Sequence, residues 1–333
     1  MILGAALVLG LGLASCKKKG CTDETAVNYE AGAKKDDGSC VYDEDDLPAY
    51  TADFKSLYND YREAATQEFT IDPTVYNMIE GTDGVKLEIP AGTFVDASGT
   101  PVTSSVTVSL LEVLDDEDMI LMGAPTMSEG SLLITGGELR AEASSGGAPV
   151  FASTPVGLYV PTIDPDMSMD IFDGVEDPST GDITWTSSTD SLDIIIVTDS
   201  TGLDSTSYYY YSWADSTLGW INCDYFWDDP SPKSDLIANV SGYHGHTNTQ
   251  IFLHFPTISS IGMMYAIWSD ADNNSYQINN LPIGLEMNIV AISEISGTYY
   301  SAIVPITLTD GHEEDLTLGA TTLAEFEAAI AAL

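Results

Sequence analysis

Two periods organise the chain. Between residues 50 and 65, Tyr50, Phe54, Leu57, Tyr58, Tyr61 and Ala65 recur at spacings of three and four. Such spacing sets them on one face of an amphipathic helix. After Pro73 the period becomes two. Val85, Leu87 and Ile89 alternate with Lys86 and Glu88, and Val102, Val106, Val108 and Leu110 share one parity. Ile194, Ile196 and the run Tyr208, Tyr209, Tyr210, Tyr211 add further strand material. Turn-forming clusters at residues 96–99 (DASG), 145–147 (SGG) and 177–181 (DPSTG) divide these runs at roughly eight to twelve residues, the rhythm of antiparallel sandwiches. Near the end, Thr322-Leu323-Ala324-Glu325 has the form of a capping box and precedes Phe326, Ile330 and Leu333 at helical spacing. The expected fold is mainly β: two or three serial antiparallel β-sandwich-like units, one N-terminal amphipathic helix and a short C-terminal helix.

The front of the chain carries an address. Residues 2–14 (ILGAALVLGLGLA) are apolar or small without interruption, and Ser15, Cys16 and three lysines follow. This run is shorter than the ~20 residues of a membrane-crossing helix and suits the hydrophobic region of an export signal. Leu13-Ala14-Ser15-Cys16 resembles the lipobox of bacterial lipoproteins. The resemblance implies that residues 1–15 are a signal peptide and that Cys16 is acylated and becomes the membrane anchor. Two or more acyl chains hold a protein stably where one does not. The expected location is the outer membrane, lipid-anchored, with the body facing the periplasm or the cell surface.

Charge narrows the partners. The 333 residues hold 52 acidic and 10 basic side chains, a net charge of −42. Beyond residue 90 only Arg140 and Lys233 are basic, against 35 acids. A body with that field repels phosphate backbones and anionic headgroups, which excludes nucleic acid as a partner and leaves the lipid as the membrane contact. Hydrophobic residues make up 44 %, enough for packed cores. Mutual repulsion of so many like charges also predicts a stability that rises with salt.

Cysteine usage agrees with export. Cys21 and Cys40 bracket a polar segment with one aromatic residue, for which a disulfide is the expected staple, contributing ~3 kcal/mol for a loop of this size. Asp23, Asp36 and Asp37 in that loop offer oxygens to calcium, or are solvated turn aspartates with no ion. Gly20-Cys21-Thr22-Asp23, Ala26, Asn28-Tyr29, Ala33 and Asp36-Asp37-Gly38-Ser39-Cys40 resemble a small repeat of exported proteins of marine Bacteroidota. Cys223, in the run Gly219-Trp220-Ile221-Asn222-Cys223, reads as a buried free thiol.

Further resemblances concern fold. Residues 67–72 (QEFTID), 79–102 (IEGTDGVKLEIPAGTFVDASGTPV), 106–113 (VTVSLLEV) and 118–143 look like a recurrent module of Bacteroidota cell-envelope proteins. Residues 84–92 within it are similar to the ZU5 β-sandwich, and Leu281-Pro282-Ile283-Gly284 resembles a turn of transthyretin-like sandwiches. The expected layout is a signal peptide over 1–15, a tether with the disulfide-closed repeat over 16–48 and a helix over 49–66. A ZU5-like β domain over 67–160, a second β region over 161–235 and a C-terminal sandwich with its terminal helix over 236–333 complete it. The resembling residues are mostly glycine, proline and apolar, and so specify a fold more than a site.

Motifs for chemistry are sparse. The mature chain holds no G-x-S-x-G elbow, P-loop, H-E-x-x-H or paired C-x-x-C. His254-Phe255-Pro256 is similar to the His-Phe-Ser at which some ZU5 domains cleave themselves, but proline stands where the nucleophile would be. His244 and His246 share a face if their segment is a strand, and with His254 could hold zinc or copper; the flanking Gly242, Gly245 and Asn248 speak for a turn instead. Asp270-Ala271-Asp272-Asn273-Asn274 starts like a calcium loop but lacks its later glycine and glutamate. Tyr208 to Tyr211 and Tyr225-Phe226-Trp227 supply either core packing or a stacking surface for sugars. Two functions follow: a non-enzymatic binding or scaffold module for an envelope protein or glycan, or a metal-assisted or carboxylate-based extracellular hydrolase.

Overall fold

In the computed structural model the described residues are 18–19, 29, 31–35, 52–199, 206–269 and 273–333. Cys16, Cys21, Cys40, Asp23, Asp36 and Asp37 lie outside them, as do Asp270 and Asp272. Residues 1–49 and 50–333 form two units. In the first, the Lys34 amide donates to the Lys18 carbonyl at 2.8 Å, and Lys19 bridges Lys35 in parallel.

The second unit is mainly β, with three helices among the described residues. Its front half is one sandwich. The first sheet follows a six-stranded path, in the order Gln67–Ile71, Val106–Val113, Ser131–Ser145, Gly219–Phe226, Asp170–Glu176, Ile183–Ser187, and the two-residue strands Met127–Ser128 and Ala148–Pro149 pair with Ser131–Ser145 off that path. Five strands make the facing sheet, in the order Asp193–Asp199, Thr206–Asp215, Val156–Thr162, Lys86–Ile89, Asn77–Glu80. Strands from before and after residue 160 therefore share the same two sheets. The period-two residues Leu87, Ile89, Val106, Val108 and Leu110 meet Leu139, Leu158 and Ile221 in the core between them. Ile194 packs at the margin of that core, whereas Ile196, on the same parity of this edge strand, is exposed.

Lys233–Ser241, Asn273–Pro282, Tyr265–Ser269 and His312–Leu316 form one sheet of a second sandwich, with the last strand parallel to the first. The other sheet runs Ile261–Met263, Thr249–His254, Glu286–Ile295, Thr298–Thr307, Gly319–Thr321. Its core continues without a break onto the outer face of the six-stranded sheet, through Leu111, Val113, Phe172, Trp185 and Trp220. This explains why Leu110 and Leu111, neighbours in sequence, are both fully buried: the sheet is covered on both faces. The seam is hydrogen-bonded as well. The Ile261 amide donates to Thr126 Oγ1 at 2.8 Å, Thr126 N to the Ile261 carbonyl at 2.9 Å, and Thr135 N to the Ser259 carbonyl at 2.9 Å.

The helices close the structure. α1 (Phe54–Ala65) starts at Asp53, whose carboxylate accepts from the Ser56 amide at 2.9 Å. It buries Phe54, Tyr58 and Arg62. The short α2 (Asp116–Leu121) was not legible in the period-two reading, although Asp115 caps it and three acids fill its first turn. α3 (Leu323–Ile330) forms where the capping box predicts: Thr322 and Glu325 exchange side chain to backbone bonds of 3.2 and 3.0 Å. Tyr61 of α1 donates to Glu327 of α3.

Candidate functional site

A glycine bulge shapes the open end of the front sandwich. Strands Ser131–Ser145 and Gly219–Phe226 pair with a register shift between Asn222 and Asp224, opposite which Gly136 and Gly137 stand. A Cβ on Gly136 would meet the Tyr211 ring at 2.8 Å, and one on Gly137 (φ 130°) would meet Leu114 at 2.8 Å. Space for the ring is thus made by the missing side chains. Above them lies a cleft of about 730 Å³. Tyr208, Tyr209, Tyr211 and Tyr225 line it together with Asp116, Asp164 and Asp166, and among the described residues no basic side chain does. The volume falls in the range of small-molecule sites. The Asp166 amide donates to the Tyr211 hydroxyl at 2.7 Å, which fixes the 163–169 loop at the rim. That loop holds out Ile163 and Met167, 98 % and 84 % exposed. Burial pushes the Tyr211 and Tyr225 hydroxyls up from their ordinary pKa, so both remain neutral donors.

Behind the cleft a polar chain runs into the sheet's outer face. The Gly137 amide donates to Thr135 Oγ1 (3.0 Å), Thr135 donates to Asn222 Oδ1 (3.1 Å), and the Asn222 amide donates to Glu138 Oε1 (3.3 Å) and Asp224 Oδ2 (2.6 Å). Glu138 and Asp224 have no exposure. Burial raises both carboxyls well above their usual range; the Asp224 charge adds to the rise at Glu138, and Arg62 opposes it. These are the acids most perturbed toward neutrality, and sequence reading missed them. Polar residues at Asn222 and Asp224 flanking buried Cys223 were the available signal. With no surface reaching solvent, the pair is an internal support and cannot touch a substrate.

At the rim, Asp116 of α2 also meets His254. Asn288 Nδ2 lies 3.0 Å from His254 Nδ1, and His254 Nε2 lies 3.1 Å from Asp116 Oδ2. Since an amide nitrogen only donates, His254 in this arrangement carries its proton on Nε2 and presents it to the carboxylate. The other acids of α2 crowd one another. Asp118 is pushed up to about 6, by burial first and then by Asp115, Glu117 and Asp83.

The three histidines singled out as metal ligands do not meet. Residues 242–248 are a turn rather than a strand. His244 is buried with Nδ1 2.8 Å from Ser293 Oγ, its ring is against Tyr300, and burial lowers its pKa. His246 is exposed, and His254 is engaged by Asn288 and Asp116. Among the described residues no group of three or more His, Cys, Asp or Glu is placed to hold a metal ion. Asn274 is a structural donor, to the Gly242 carbonyl at 2.9 Å. Cys223 is fully buried and its thiol is raised by burial. Of the second aromatic cluster, Tyr225 turns to the cleft, Phe226 stacks edge-on with Phe172, and Trp227 packs at the second core under Lys233.

Comparison with protein-family models, curated proteins and solved structures finds no match.

Proposed function

We propose that this chain is a lipid-anchored envelope protein, tethered through Cys16 at the outer membrane, that binds a glycan in the tyrosine cleft without transforming it. The lining of that cleft carries the reading. Tyrosine rings give a sugar's C–H face a stacking partner, and their neutral hydroxyls together with Asp116, Asp164 and Asp166 take its hydroxyl groups. Three carboxylates and no cation make the site suited to an uncharged saccharide. The export signal and lipobox support an extracytoplasmic ligand, and the serial β architecture supports a presenting scaffold.

A hydrolase would need an acid and a base facing one bond. The buried Glu138 and Asp224 do not supply it, since neither reaches the cleft surface. The test is titration calorimetry of the full chain against neutral oligosaccharides, beside a Tyr209→Ala/Tyr225→Ala double variant. Saturable binding weakened about tenfold or more in the variant is expected, as two lost stacking partners imply. Saccharides that bind neither protein, or release of reducing ends on incubation, would overturn the reading. Fatty-acid labelling that persists in Cys16→Ser would overturn the anchor.

A further inference from the structure

A second site lies on the outer face of the same sheet, where the charge pattern breaks. In a protein with 52 acids, cations are expected to find carboxylates. Lys55 and Arg62 pair with Glu176 at 3.9 and 3.3 Å, and Lys86 pairs with Glu80 at 3.5 Å. Lys233 has no such partner but is exposed. Arg140 is half-buried on strand Ser131–Ser145, yet among the described residues its guanidinium makes no hydrogen bond or ion pair; it lies over the Trp220 ring, 5.4 Å from the guanidinium carbon to the ring centre. Arg62 lies over the same ring at 5.1 Å, and the two like charges oppose each other. A flat guanidinium resting on indole keeps its N–H edge free for bidentate bonding.

That edge belongs to a shallow depression of about 630 Å³, lined by Asn59, Arg62, Glu63, Thr66, Glu68 and Arg140. We infer that this depression binds a sugar acid: a uronate residue whose carboxylate takes Arg140 and whose hydroxyls take Glu63, Glu68 and Asn59. The mixture of donors and acceptors selects the ligand. A phosphate monoester, about −1.5 to −2 at pH 7, would face the two glutamates and the −42 body with more charge than a carboxylate does. One carboxylate satisfies the unmatched cation, and the glutamates then serve as acceptors for neighbouring hydroxyl groups. The tyrosine cleft has no cation in its lining, so the two sites divide charged from neutral sugars.

The test uses the full chain and three probes, a galacturonic acid trisaccharide, the neutral galactose trisaccharide and acetate, followed by calorimetry at low salt. The wild type should bind the uronate saccharide saturably, and the neutral one at least about tenfold more weakly. Arg140→Gln should lose at least about tenfold in affinity for the uronate saccharide, and rising NaCl should weaken wild-type binding. Arg140→Lys keeps the charge over Trp220 but not the fork, and should fall between them; it serves if Arg140→Gln does not fold. No saturation by about 10 mM, a range that corresponds to a binding free energy below ~3 kcal/mol, would overturn the inference. So would equal affinity in the variants, equal binding of the neutral trisaccharide, or acetate competing as well as the saccharide.

Discussion

The two faces of the six-stranded sheet are built by different rules. Its inner face is apolar over Val106, Val108, Leu110, Leu139, Ala141 and Ile221, and the one buried acid on the same strand face, Glu112, accepts from the Val85 and Asp83 amides at 2.8 and 3.0 Å. Its outer face is equally buried, but beside Leu111, Val113, Phe172, Trp185 and Trp220 it buries the polar Glu138, Asn222 and Asp224. An apolar face needs only a matching apolar face. A polar one needs each donor and acceptor met by a named partner, because an unmet group costs its full desolvation. On this face Asn222 reaches Glu138 and Asp224, Glu138 Oε2, Asp224 Oδ1 and Trp220 Nε1 have no hydrogen-bond partner among the described residues, and Arg62 of α1 lies over the Trp220 ring. Arg62, 1 % exposed, donates through Nε to the Met122 carbonyl at 2.8 Å and through Nη2 to the Gly181 carbonyl at 2.8 Å, and pairs with Glu176. One side chain thus joins α1, the turn after α2 and the 176–183 hairpin. The inner face is mainly an apolar pattern; over the outer face one guanidinium gathers three segments of the chain.

The strongest way to break this contrast is to remove the centre. Arg62→Ala leaves two buried backbone carbonyls without their donor and Glu176 with Lys55 alone, and should cost about 3–5 kcal/mol, the scale for breaking a buried ion pair from one side. Urea unfolding monitored at the tryptophans measures it. A loss below about 1 kcal/mol, the scale of an exposed pair, would mean that α1 is held by apolar packing alone.

The buried acids give the next effect, and its sign is fixed. Glu138 and Asp224 have folded pKa values raised above the unfolded ones, so the native state binds more protons than the unfolded state above pH ~4. The stability these two groups contribute is therefore fully present below that pH and is lost as pH rises toward the folded values. Asp118, pushed up to about 6, adds to the same slope. Glu138→Gln keeps the shape and removes the titration. Its urea midpoint should decline less than the wild type's between pH 5 and pH 8; parallel declines would remove Glu138 as a source of the slope.

How much of this was legible beforehand follows the same division. Period two exposes one face at a time, so Leu87, Ile89, Val106, Val108 and Leu110 were readable as a core, and the two terminal helices were readable from spacing and capping. The outer face was not. Arg62 sits on the buried side of α1, a position where periodicity expects an apolar residue, and its partners are 60 to 119 residues away in sequence. The cleft was half legible: the tyrosines were visible as a cluster, but only the bulge at Gly136 and Gly137 brings Tyr211 and Tyr225 to one wall. The histidine reading depended on a strand over 244–246, and the turn there parts the two side chains.

Close packing on the outer face gives a smaller effect. Gly174 faces Gly–Trp contacts so tight that an added Cβ would meet Trp185 and Trp220 at 2.6 Å each. The two indoles stand edge to face with ring centres 6.3 Å apart and cannot both give way without disturbing Arg62. Gly174→Ala should cost about 1–3 kcal/mol, as overpacking does. Near-neutrality in the same urea assay would show that the indole pair is looser than its geometry.

The smallest effect separates the helix from its docking. Asp53 is exposed and acts only within α1, accepting from the Ser56 amide at 2.9 Å. If α1 is held by what Arg62 reaches across the sheet, the cap is a local matter, and Asp53→Ala should cost about 1 kcal/mol. The cost should also be additive with that of Gly174→Ala, since the two sites share no partner. If instead the cap governs whether α1 forms, Asp53→Ala should approach the loss seen for Arg62→Ala, and the double variant should be hardly worse than either. Comparing the single and double variants by urea unfolding therefore tells whether the outer face is organised by its buried guanidinium or by the helix that delivers it.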